Sequence, residues 1–118
     1  MQTLDTIMTR RSVRQFDANR PISQEQIHTL LEAAFVAPSA MNKQPWQFLV
    51  VTDEQMLDQI RQTHPYAQFV SDAGCAIIIV TDKSACYEDY WRVDPLLAGE
   101  NILLAARDMG LGTCWCGV

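Results

Sequence analysis

The run Ala76-Ile77-Ile78-Ile79-Val80 constrains the fold more than any other stretch of this chain. An unbroken apolar, β-branched run of that length suits a strand buried on both faces. Such a strand needs a neighbour beside it and layers above and below. Candidates for both are present. Trp46-Gln47-Phe48-Leu49-Val50-Val51-Thr52 reads as a second strand. Leu111-Gly112-Thr113-Cys114-Trp115-Cys116-Gly117-Val118 opens a third.

Helical patterns separate these runs. Thr3 to Thr9 suggests a short helix with Arg10 and Arg11 at its C-terminal end. Gln15 to Pro21 is irregular. Ser23-Gln24-Glu25-Gln26 is a capping box, in which cap and third residue satisfy each other's backbone. Ile27, Leu30, Leu31 and Ala34 follow at helical spacing, with Gln24, Glu25, His28 and Glu32 opposite. That helix should stop near Ala37, because the residue before Pro38 disfavours helical geometry. Asp53 caps a further helix with Met56, Leu57 and Ile60 inward. Pro65 to Gly74 is a connection with room for a helical turn, and Cys86 to Val93 shows no clear pattern.

Asp94-Pro95 reads as a cap followed by proline at the first helical position. The helix runs to about Met109, with Gly110 as a left-handed terminator. Glu100, Asn101, Arg107 and Asp108 share a narrow stripe, and Ala98, Gly99, Ile102, Leu103, Ala105, Ala106 and Met109 cover the rest. A central core helix and a dimer surface fit that pattern equally.

Alternating helices and strands place the chain in the mixed α/β or α+β class. Its 118 residues make one domain, 1–118, able to bury ~65% of its unfolded surface. The chain stops inside an apolar strand pattern and so reads as incomplete at the C-terminus. A net charge of −5 and a pI near 4.8 argue against nucleic acid as a partner. No apolar run approaches the ~18 residues of a membrane span. Met1 to Met8 lacks a secretory signal, so Cys75, Cys86, Cys114 and Cys116 are expected as reduced thiols in the cytoplasm. Cys114 and Cys116 would share one face of a strand. Packed free thiols are the plain reading of that pair; metal or redox chemistry is the other.

Against the acidic background, three of the nine basic residues fall between Arg10 and Arg14. Arg10-Arg11-Ser12-Val13-Arg14 makes a compact anion site, since guanidinium holds phosphate by paired charge-assisted hydrogen bonds. In extended geometry Ser12 and Arg14 share a face while Val13 turns to the core. The alternative is cations set near a helix C-terminus. Pro38-Ser39-Ala40-Met41-Asn42-Lys43-Gln44-Pro45-Trp46 collects a hydroxyl and two amides between two prolines. Amides donate and accept at once, which suits the pyrimidine edge of a flavin. A polar turn would use the same residues. Gly110-Leu111-Gly112 follows a helix, whereas the dinucleotide fingerprint follows a strand. Gly112 and Gly117 would still admit a flat ligand against the backbone. His28 and His64, the only histidines, are expected to be solvated. With so few general bases, chemistry carried by a cofactor fits better than acid–base or nucleophilic catalysis.

Three motifs, in order, resemble the nitroreductase family. Arg10-Arg11-Ser12-Val13-Arg14-Gln15-Phe16 is similar to its opening motif. Pro38-Ser39-x-x-Asn42-x-Gln44-Pro45-Trp46 is similar to its second, and Asp94 through Asn101-Ile102 to Gly110-Leu111-Gly112 to its third. The resemblance implies an α+β, three-layer sandwich with a central mixed sheet flanked by helices, covering the first two-thirds or so of a typical member. It implies a homodimer with FMN at the interface. Arg10, Arg11, Ser12 and Arg14 would hold phosphate and ribityl chain. Pro38, Ser39, Ala40, Asn42 and Gln44 would serve the other subunit's flavin. The backbone of Cys116 and Gly117 would lie near flavin N5. The implied activity passes hydride from NADH or NADPH through N5 to a nitroaromatic, quinone or similar small acceptor. A flavin-binding protein without catalysis is the alternative.

Overall fold

In the computed structural model, which describes residues 1–118, local signals and elements agree through most of the chain. Helix α1 spans Thr3–Thr9 and α2 spans Gln24–Phe35. Both halves of the capping box form: Ser23 Oγ accepts from Gln26 N–H at 3.1 Å, and Gln26 Oε1 accepts from Ser23 N–H at 2.9 Å. Strand β1 (Trp46–Val51) leads to α3 (Glu54–Thr63), capped by Asp53, which accepts from Met56 N–H at 3.1 Å. The connection that follows contains a one-turn helix, α4 (Val70–Ala73), ended by left-handed Gly74. Strand β2 (Ala76–Thr81) precedes the long helix α5 (Asp94–Asp108).

The two strands pair antiparallel, with Phe48 opposite Ile79 and Leu49 opposite Ile78. Alternation then gives each face its own set. Trp46, Phe48, Ile77 and Ile79 turn toward α2 and α5, where Leu30, Ala34, Ala98, Ile102 and Ala106 complete the main core. Val51 packs with Leu57 and Val70 in a smaller core, flanked by Ile60 and Ala76. Helices therefore lie on both sides of one end of the sheet, the layered α+β arrangement the resemblance implies.

Two expectations change. β2 is not buried on both faces, because Ile78 and Val80 are each 36% exposed and their neighbour Leu49 is 55% exposed. Alternation decides this: the covered face is filled by α2 and α5, while α3 and α4 reach the opposite face only at the Val51 end. The segment after α5 also forms no strand. It makes one parallel bridge, Ser12 to Thr113, with Val13 N–H donating to Thr113 O at 2.8 Å. That bridge runs opposite in sense to the β1–β2 pair, so both pairing types occur.

Helix α5 settles as a core helix on one side. Asn101, from the narrow polar stripe, donates through Nδ2 to Ala33 O at 2.9 Å across the α2–α5 seam. Alanines on both helices bring the backbones close enough for that side chain to reach. Leu96 and Leu97 remain exposed on another side of α5. Gly99 admits the Trp115 ring, since a Cβ there would lie 2.4 Å from Trp115 Cζ3.

Gly99→Ala should therefore displace Trp115 and cost about 1–3 kcal/mol by overpacking. Denaturant unfolding read by tryptophan fluorescence measures both, and an unchanged midpoint and spectrum would refute the contact. Leu57→Ala, in the smaller core at 2% exposure, should cost about 2–5 kcal/mol in the same assay.

Candidate functional site

The Ser12–Thr113 bridge brings two sequence-distant stretches together. Arg10 to Phe16 runs beside Thr113 to Gly117, and Val13 fits against Gly112, where an added Cβ would sit 3.0 Å from the valine side chain. Gly112 is thus explained by close chain packing rather than by a ligand. Val13 is half-buried, and Ser12 and Arg14 on either side of it are exposed, as alternation requires.

The arginines differ in their commitments. Arg11 Nη1 donates to Met8 O at 3.0 Å and Arg10 O at 2.8 Å, so part of this guanidinium closes the end of α1. Arg10 is within 3.8 Å of Glu100 on α5, a loose and partly exposed pair that contributes little to stability. Arg14 makes no hydrogen bond or ion pair to protein. Arg10 and Ser12 also line a groove of about 330 Å³ with Leu96, Glu100, Leu103 and Trp115.

A third segment completes this side. His64 Nδ1 accepts from Tyr66 N–H at 3.2 Å, which places the ring proton on Nε2. Nε2 then donates to Gly117 O at 2.7 Å. His64 is not merely solvated, as expected from sequence; it ties the 64–66 turn to the last residues of the chain. Phe16 and Phe69 pack together with ring centroids 5.7 Å apart. Nothing approaches within 4 Å of where a Gly117 Cβ would stand. Burial pushes the Cys116 thiol up from its ordinary range, with neighbouring Cys114 adding to the rise and Arg14 opposing it.

The Pro38-to-Gln44 loop lies elsewhere on the molecule. Met41, Asn42 and Gln44 have φ of 55°, 53° and 50°, left-handed geometry in three residues of one short loop. Each costs roughly 1–2 kcal/mol for an L-residue; asparagine tolerates it best, methionine and glutamine poorly. The surroundings hold the strain. Ser39 Oγ accepts from Gln44 N–H at 3.0 Å, and Ser39 O accepts from Asn42 N–H at 2.9 Å. Pro45 O accepts from Asp82 N–H at 3.0 Å. Asp94 Oδ1 accepts from Ala40 N–H at 3.1 Å, although Asp94 is only 1% exposed.

Asp94 was expected to cap α5. It is instead the first residue of that helix, after Val93, and makes no capping bond. Its carboxylate turns to the loop, and Oδ2 is buried without a partner. No sequence signal distinguishes an aspartate that caps from one that anchors a distant loop. Inside the loop, Ser39 and Ala40 are half-buried while Pro38, Asn42 and Gln44 are exposed. No hydrogen bond joins this loop to the arginine segment; each meets α5 at its own point, the loop through Asp94 and Arg10 through Glu100.

The sequence pattern that defines the nitroreductase family matches residues 7–64. A protein of Archaeoglobus fulgidus provisionally named NADH dehydrogenase/NAD(P)H nitroreductase is 44% identical over 99% of this chain and 68% of its own. One of the same provisional name from Methanothermobacter thermautotrophicus is 43% identical over the whole of this chain and 62% of its own. The crystal structure of a provisionally assigned nitroreductase from Desulfovibrio desulfuricans, in complex with FMN, superposes with a TM-score of 0.91 at 33% identity, covering 99% of this chain and 69% of that one. The chain belongs to the nitroreductase family. It spans about two-thirds of the length of these relatives.

Asp94→Ala should release Ala40 N–H and loosen the strained loop, at about 1–3 kcal/mol for a buried donor left unmet. Hydrogen exchange at the Ala40 to Gln44 amides should quicken; unchanged protection there would show that Asp94 is not its anchor.

Proposed function

We propose that this chain binds FMN and acts in an NAD(P)H-dependent oxidoreductase with a nitroaromatic, quinone or similar small acceptor as substrate. The observation that carries this is the strained loop. Three left-handed non-glycine residues, two of them bearing amides, are held by buried Asp94 and by Ser39. Strain of that kind persists where the surroundings enforce it, and it clusters at ligand sites. A plain polar turn would need none of it.

The residues present fit the cofactor. Arg14 is exposed and unpaired, Arg10 is only loosely paired, and Ser12 offers a hydroxyl between them. Two guanidinium groups and a hydroxyl suit a phosphate dianion. Arg11 would join them with the nitrogens that its helix-end bonds leave free. Open space at Gly117 leaves room for a flat ring. Ser39, Asn42 and Gln44 would orient the ring's polar edge and the ribityl hydroxyls, with Pro38 and Ala40 shaping the loop. The backbone of Cys116 and Gly117, fixed by the His64 bond, would present dipoles to the reacting edge without reorganising. FMN itself would supply the redox chemistry, taking hydride from NADH or NADPH and passing electrons to the acceptor.

The separation of loop and arginine segment, with no hydrogen bond between them, favours assembly from two copies. A homodimer in which the loop of one protomer meets the arginines of the other would complete the site. Exposed Leu96 and Leu97 on α5 offer apolar surface for it.

Purified protein supplied with FMN should retain flavin absorbance through gel filtration, and NADH or NADPH should bleach it anaerobically. Protein that retains no flavin would refute the proposal; bound flavin that neither nicotinamide bleaches would point to binding without catalysis. Arg14→Ala should weaken FMN by roughly 10- to 100-fold, the worth of a charge-assisted contact. An unchanged dissociation constant would remove Arg14 from the phosphate site.

A further inference from the structure

His64 joins a well-held element to one with little support. Its own backbone ends α3, with N–H donating to Ile60 O at 2.9 Å. Gln68 braces the turn beyond, donating through Nε2 to Arg61 O at 2.8 Å and to His64 O at 3.2 Å. The ring is thus carried on a helix that Leu57 anchors in the smaller core. The segment it reaches is different. From Cys114 to Val118 no backbone N–H donates to a protein acceptor. The bond from His64 Nε2 to Gly117 O, at 2.7 Å, is the only hydrogen bond shorter than 3.5 Å that these five residues make.

Peptide planarity gives that bond a direction. Gly117 C=O and Val118 N–H belong to one trans peptide, so they point opposite ways. With the carbonyl drawn to His64, the Val118 N–H points away from the ring and has no protein partner. The tautomer matters as well. Tyr66 N–H occupies Nδ1 at 3.2 Å, which leaves Nε2 to donate, and only a donor can hold a carbonyl. Nothing stands within 4 Å of where a Gly117 Cβ would be, so the space beside this peptide is open.

We propose that His64 is a positioning residue for the flavin chemistry: by holding Gly117 O it aims the Gly117–Val118 peptide so that the Val118 N–H faces the reacting edge of the ring. This role rests on the FMN reading above and deepens it with a residue that acts through another. Hydride arriving at flavin N5 brings two electrons and one net negative charge, leaving the nicotinamide oxidised. An N–H dipole fixed beforehand offsets that charge without reorganising. The benefit falls on the reduced form of the cofactor. Losing it lowers the midpoint potential and slows reduction, while the oxidised form, held by the arginines and the loop, keeps its affinity. A bond that only tied down the end of the chain would change stability and leave the potential unmoved.

The test compares wild type, His64→Ala and His64→Gln, the last of which keeps an N–H donor. With FMN bound, His64→Ala should lower the flavin midpoint potential while the FMN dissociation constant stays close to wild type. Anaerobic bleaching by NADH should slow roughly 10- to 100-fold, the effect of a misplaced group. His64→Gln should recover part of both losses. In wild-type protein without flavin, nitrogen-15 shifts of the neutral His64 ring should place its proton on Nε2. A His64→Ala protein that binds FMN with wild-type potential and bleaching rate overturns the proposal. So does a wild-type ring protonated on Nδ1, a result that decides even where a variant fails to fold. Wild type that retains no FMN overturns the underlying flavin reading, and this role falls with it.

Discussion

Everything at the site hangs from the seam between α2 and α5. Ala34, Ala98 and Ala106 are fully buried there, and side chains that small let two helix backbones approach closely. The approach fixes α5 along its length, and Asn101 locks the sliding direction by reaching Ala33 O. One end of α5 then delivers Asp94 to the loop that follows α2. Its middle meets Arg10 through Glu100 and receives the Trp115 ring over Gly99. Its far end delivers Gly112 and Thr113 to Val13 and Ser12. A shift in the seam would move every candidate ligand contact together.

This explains how the loop can keep an unfavourable backbone. Three left-handed residues together cost several kcal/mol by the roughly 1–2 kcal/mol each is worth. A free loop would relax. Here the Asp94 carboxylate grips Ala40 N–H from a buried position, and Ser39 bonds two backbone amides from within. Asp94 leaves Oδ2 buried and unpaired to do so. Accepting that cost at a helix start, where simple capping would satisfy the carboxylate, is hard to explain as structure alone. It is easier to explain if the loop's shape matters to something it binds.

Much of this was legible in the sequence, for identifiable reasons. Capping boxes and β-branched runs act through neighbours in the chain, so Ser23, Asp53 and Ala76 to Val80 located their elements directly. What sequence could not carry was partner choice across distance. Asp94 looked like a cap because aspartate before proline usually is one. Asn101 stood out only as one of four polar residues on a stripe, with nothing to name Ala33 O as its partner. Leu111 to Val118 looked like a strand, yet only Thr113 makes a β-bridge. The Ile78 face looked buried because an all-apolar run does not say which neighbours are present.

His64 shows the same limit at the site itself. Beside Pro65 in an irregular turn it carried no signal beyond a solvated ring. The fold brings it to Gly117, and the Tyr66 amide fixes its tautomer so that Nε2 must donate. That single bond orients the carbonyl next to the thiol pair and the open space at Gly117. Ring, thiols and Arg14 therefore occupy one neighbourhood, built from residues near 14, 64 and 116 that no local pattern connects.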